Sequence, residues 1–117
     1  MEQYKVILVD DEVEVIDVMK KKIRWNDLGF DVVGSATNGV KALEVLMSEE
    51  VSMVISDVMM PEMNGFDLCR KIKSDIVLSH LPVMLLTALS DDKQQMYGAA
   101  SGADAYIQKP FNIEVVK

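Results

Sequence analysis

The sequence predicts a doubly wound α/β domain built on a five-stranded parallel sheet. Two patterns predict it. Five short apolar runs recur along the chain, and segments with helical spacing separate them. Strand alternating with helix in this way implies a parallel sheet covered on both faces, joined by right-handed crossovers.

The first run is KVILV (5–9). A helix over 12–24 follows, where Ile16, Met19 and Ile23 fall three and four residues apart and Glu14, Asp17, Lys20 and Lys21 lie elsewhere. Gly29 is read as a helix stop, and the second strand is DVVGS (31–35). Asn38 caps a helix over 39–47 that aligns Ala42, Leu43 and Leu46. The third strand is VSMVIS (51–56), and Asn64 caps a helix over 65–73 that aligns Phe66, Cys69 and Ile72. The fourth strand is LPVMLLT (81–87). The middle strands do not alternate polar with apolar residues, a mark of burial on both faces. Ser90 is read as the cap of a weaker helix over 91–100, with Met96, Ala99 and Ala100, that stops at Gly102 before the strand AYIQ (105–108). A last helix would start near Asn112, yet the sequence stops at Lys117. Fewer than two turns remain, so residues 1–117 are expected to be a single domain cut from a longer protein, with its last helix truncated.

With 117 residues the chain can enclose one core but not two. Half of it is hydrophobic, as in ordinary globular domains. Twelve Lys and Arg against nineteen Asp and Glu leave a charge of −7, which disfavours direct contact with nucleic acid. No apolar stretch approaches the ~20 residues of a membrane span. Glu2, Gln3 and Lys5 interrupt the place where a signal peptide's apolar region would form. Cys69 stands alone, so there is neither a disulfide framework nor a cysteine-based zinc site, and it reads as a small core residue. The default location is cytoplasmic. Lys20, Lys21 and Lys22 read as a solvated helix face and His80 as a surface residue.

In such sheets ligands bind at the carboxyl ends of the strands, near the point where strand order reverses. The first strand ends in Asp10, Asp11 and Glu12, the third in Asp57 and the fourth in Thr87, while Lys109 and Pro110 follow the fifth. If the first and third strands are neighbours, three carboxylates meet at one edge. Two such charges ~4 Å apart repel by about 4 kcal/mol at an effective dielectric near 20, so either some protonate or a cation binds. An all-oxygen site with few protein ligands suits Mg²⁺. The set is then a hard-metal site beside a carboxylate nucleophile, Asp57, with Lys109 to balance a phosphoryl group and Thr87 to donate to it. The bland alternative makes Asp10 and Asp11 acids at a helix start, where they favour the dipole, and the other residues ordinary surface.

Four segments in order, LVDDE (8–12), ISDVMMPEMNGFDL (55–68), LLTA (85–88) and GADAYIQKPF (102–111), resemble the receiver domain of bacterial two-component response regulators. The resemblance implies a flavodoxin-like fold of strand order 2-1-3-4-5 and a signalling domain that catalyses only its own phosphorylation and dephosphorylation. It implies Asp57 as phosphoacceptor, Mg²⁺ bound directly by Asp11, through water by Asp10, and by the Met59 carbonyl. It also implies phosphoryl contacts from Thr87 and Lys109, a cis bond before Pro110, and an aromatic switch at Tyr106. The partners it implies are a histidine kinase as phosphodonor and an output domain or second receiver. WNDLGFDVVGSATNG (25–39) is similar to receivers that precede AraC-type outputs, and KSDIVLSHLPVMLLTA (73–88) to those of hybrid histidine kinases.

Two rivals remain at this stage. A Mg²⁺-dependent phosphohydrolase would also form an aspartyl phosphate, but such enzymes want a second acid where this chain has Met59. A flavin or dinucleotide binder would need a Gly-rich loop after the first strand, where Asp10, Asp11 and Glu12 stand instead.

Overall fold

The computed structural model describes residues 3–87 and 102–108, with Thr87 and Gln108 placed by their backbone alone. Five strands, β1 (Tyr4–Val9), β2 (Phe30–Ala36), β3 (Met53–Asp57), β4 (Val83–Thr87) and β5 (Ala105–Gln108), form one sheet in the order β2-β1-β3-β4-β5. All four pairings are parallel. The predicted order therefore holds, and β1 and β3 are neighbours. Among the described residues three α-helices lie between the strands, α1 (Val13–Lys22), α2 (Gly39–Ser48) and α3 (Gly65–Ser74). The helices predicted over 91–100 and 112–117 lie outside the described residues.

The sheet separates two apolar layers. Ile7, Val9 and Val54 pack with Ala42 and Leu46 of α2 and with Leu68, Cys69 and Ile72 of α3. Val6, Leu8 and Ile55 pack with Ile16 and Met19 of α1 on the other side. Alternate residues of β1 thus feed opposite layers, which is why the run reads as continuously apolar. The α1 side also carries an apolar groove of about 240 Å³ between Trp25, Phe30, Met84 and Ile107.

Local chemistry sets the ends of the helices. The Asn38 side chain accepts the Lys41 N–H at 2.8 Å, and the Asn64 side chain accepts the Asp67 N–H at 2.9 Å. Each satisfies an N–H that the first helical turn cannot. Lys20, Lys21 and Lys22 close α1 where cations favour the dipole.

One boundary differs from expectation. The helix predicted to 24 stops at Lys22, and Gly29 ends not α1 but a separate 3₁₀ turn, Asn26–Leu28. The Met19 carbonyl accepts both the Ile23 N–H at 3.3 Å and the Trp25 indole N–H at 3.0 Å, so a side chain joins the cap at the helix end. In β2 the register against β1 slips after Val32, so that Ile7 faces Gly34 and Val33 is an extra residue. A polar clamp joins α3 to the far edge of the sheet. Lys73 Nζ donates to the Leu81 carbonyl at 2.7 Å and to Asp104 at 2.8 Å, and Asp104 accepts the Val83 N–H at 2.8 Å.

Candidate functional site

The carboxyl ends of β1 and β3 lie side by side because Val9 pairs with Ser56. Asp10 leaves β1 fully buried; its N–H donates to the Ala36 carbonyl at 3.1 Å, and its carboxylate accepts the Glu12 N–H at 2.9 Å. That contact orients the carboxylate and fixes the turn into α1. Asp11 is exposed. Asp57, the last residue of β3, is only 8% exposed. One carboxylate oxygen from each of Asp10, Asp11 and Asp57 lies within 4.8 Å of the other two. The three acids expected to meet do meet.

At that separation two full charges repel by about 3.5 kcal/mol at an effective dielectric of roughly 20, and less where Asp11 is open to water. The donor set decides which cation would relieve this. Three carboxylates with two buried and one facing solvent make a hard oxygen site that leaves positions for water, as Mg²⁺ prefers.

The loop after Asp57 is held tightly. The Val58 N–H donates to Leu86 of β4 at 3.0 Å, and the Gly65 N–H returns to the Val58 carbonyl at 2.8 Å. α3 therefore begins directly beneath the end of β3. A Cβ on Gly65 would overlap the Asp57 carbonyl oxygen and come within 2.9 Å of Val58 Cα. Met59 stands exposed beyond Asp57. Glu62 takes a left-handed backbone, φ 66°.

The other expected site residues are placed less fully. Thr87 ends β4 one position past Leu86, the partner of Asp57, so its backbone lies at the same sheet edge. Lys109 and Pro110 lie outside the described residues. Tyr106 sits on β5 opposite Leu85 and is 38% exposed. Burial raises its hydroxyl above the ordinary tyrosine value, and the Cys69 thiol on α3 adds to the rise. Cys69 itself is fully buried, as expected of a core residue, and His80 is exposed.

Two close contacts, one at the site and one at the amino ends of β4 and β5, leave no mark that hydropathic spacing detects. In the sequence Gly65 marks, with Pro61, only a break in the chain after the third strand, and nothing marks the clamp through Asp104. The signal for Gly65 was available in the Asn-Gly pair that opens α3, since a cap followed by glycine invites close approach.

Residues 6–117 match the family described as the response regulator receiver domain. The chain belongs to this family. The receiver domain is 42% identical over 113 residues to Histidine kinase P4 of Formosa agariphila, covering 97% of this chain and 8% of that protein. It is 34% identical over 112 residues to the probable transcriptional regulator ycf27 of Porphyridium aerugineum, covering 96% of this chain and 44% of that protein. The chain thus spans less than half the length of these two curated relatives. Among solved structures it is similar to the signal receiver domain of a signal transduction histidine kinase from Syntrophus aciditrophicus. The TM-score is 0.83 at 33% identity, covering 97% of this chain and 83% of that one. The receiver domain is a signalling module of two-component systems, and among its described residues no helix is long and apolar enough to cross a membrane.

Proposed function

We propose that residues 1–117 are one receiver domain of a longer protein and act as a phosphorylation-dependent switch with Asp57 as phosphoacceptor. The observation that carries this is the meeting of three carboxylates within 4.8 Å at the ends of β1 and β3, in a chain of this family. Asp57 supplies the nucleophile. Its carboxylate oxygen attacks phosphorus in line, and the bond to a phosphohistidine nitrogen or to the oxygen of a small acyl phosphate breaks, its electron pair leaving with the donor. Asp11, the Met59 carbonyl and Asp57 would hold Mg²⁺ directly, and Asp10 through water. When bound, Mg²⁺ supplies positive charge beside the oxygens of the transferring group.

The remaining residues act on the phosphoryl group or report it. Lys109, which directly follows β5 in sequence, balances its charge. Thr87 donates its hydroxyl to a phosphoryl oxygen. Movement of Thr87 toward that oxygen frees space into which Tyr106 repacks, which carries the signal to the surface. The proposed phosphodonor is a partner histidine kinase, and the recipient is an output domain or second receiver in the cytoplasm. The kinase and transcriptional-regulator names of relatives support both. The domain catalyses only gain and loss of its own phosphoryl group.

Intact mass after treatment with acetyl phosphate and Mg²⁺ tests the proposal. Wild type should gain one phosphoryl group and Asp57→Asn none. Equal labelling of both would remove Asp57 from its role.

A further inference from the structure

The loop between β3 and α3 carries Met59, Met60 and Met63, of which the mechanism uses only the Met59 backbone carbonyl. Their thioethers have unlike surroundings. Met60 is 9% exposed and belongs to the core. Met63 is partly buried against the start of α2, where a Cβ on Gly39 would come within 2.7 Å of its sulfur. Met59 is 64% exposed, two residues beyond Asp57. A thioether's oxidation is reversible in cells and turns a flexible apolar side chain into a polar one. Where peroxide must reach the sulfur, exposure orders the reaction, and Met59 is open where Met60 and Met63 are covered.

We propose that Met59 is a peroxide-sensitive modification site whose oxidation lowers phosphoryl uptake at Asp57; this rests on the assignment of Asp57 as phosphoacceptor. In the step, the Met59 sulfur attacks one peroxide oxygen. An S–O bond forms as the O–O bond breaks, sulfur gives up two electrons, and the peroxide is reduced to water or an alcohol. The product carries an S=O dipole with its negative end on oxygen. Met59 lies two residues beyond Asp57, in the loop that leaves the acid cluster, and its side chain is exposed. A polar oxygen there adds to the negative potential that an incoming phosphoryl group must cross. Met47 serves as an internal comparison. It is 76% exposed, but it sits in the last turn of α2, at the opposite end of the sheet from the acids.

The test combines graded hydrogen peroxide, peptide mass mapping and phosphoryl uptake from acetyl phosphate with Mg²⁺, each protein compared with its own untreated sample. Met47 and Met59 should oxidise before Met60 and Met63. Uptake should fall about threefold or more as Met59 oxidises. Met47→Leu should show the same fall, and Met59→Leu none. Oxidation of Met60 ahead of Met59, or full Met59 oxidation with unchanged uptake, would overturn the proposal. If the untreated protein takes up nothing at Asp57, the switch itself fails and the effect on uptake with it, while the order of oxidation still decides the modification site.

Discussion

Gly65 shows how closely the phosphoacceptor strand and its following helix are fitted. The atoms a Cβ would meet there, the Asp57 carbonyl oxygen and Val58 Cα, are backbone and cannot swing aside. Gly65→Ala should therefore destabilise the domain by about 1–3 kcal/mol, read by urea denaturation, because room is made only by moving the end of β3. The same shift displaces Asp57, so phosphoryl uptake should fall as well. The acid cluster gives a second prediction. Mg²⁺ should raise the melting temperature of wild type by relieving repulsion among Asp10, Asp11 and Asp57. In a Mg²⁺ titration Asp11→Ala should lose more affinity than Asp10→Ala; equal losses would contradict direct binding by Asp11 alone of the pair. At this scale the acids were legible in the sequence, because a carboxylate after an apolar run must emerge at a strand end. The close approach at Gly65 is marked only by the Asn64-Gly65 pair, since hydropathy carries no trace of backbone contact.

The loop from Val58 to Asn64 is the element on which the site depends, and it contains a residue at odds with its own backbone. Glu62 holds φ 66°, a region that costs a residue with a Cβ about 1–2 kcal/mol. Glycine avoids that cost but loses roughly 0.5–1 kcal/mol more in backbone entropy on folding. Glu62→Gly should thus stabilise the domain by about 0.5 kcal/mol, measured by chemical denaturation, whereas a value below wild type would mean that the Glu62 side chain contributes contacts of its own. Strands were legible because β1 and β3 are buried on both faces, and α2 and α3 because an asparagine opens each one. The end of α1 was not. Ile23 continues the apolar spacing, but the indole of Trp25 turns back onto the Met19 carbonyl. Such a contact joins residues through space, and periodicity cannot register it.

Across the whole molecule, α3, β4 and the approach to β5 are joined at Asp104. Burial opposes its ionisation, but the hydrogen bonds from Lys73 and the Val83 N–H, together with the Lys73 charge, outweigh it and hold its carboxyl below the usual 3.8. A carboxylate depressed in the folded state contributes stability above its unfolded value and loses that contribution as pH falls through the folded one. Asp104→Asn should therefore melt below wild type at neutral pH, and the gap should close as pH drops under 3.8. Its side chain is half exposed, so solvent screening keeps the effect small. A gap independent of pH would assign the clamp to shape rather than charge. The fold class followed from the sequence because alternating strands and helices admit few arrangements, whereas the clamp links residues 31 positions apart in the chain. The extra residue in β2 bears on a different matter. β2 is one of the two edge strands of the sheet, and the side turned away from β1 offers an incoming chain a row of backbone donors and acceptors. The slip at Val33 bends that row out of the straight ladder another strand would need, and exposed Asp31 places a negative charge along it. In a chain with half its residues hydrophobic, both features work against this edge templating aggregation.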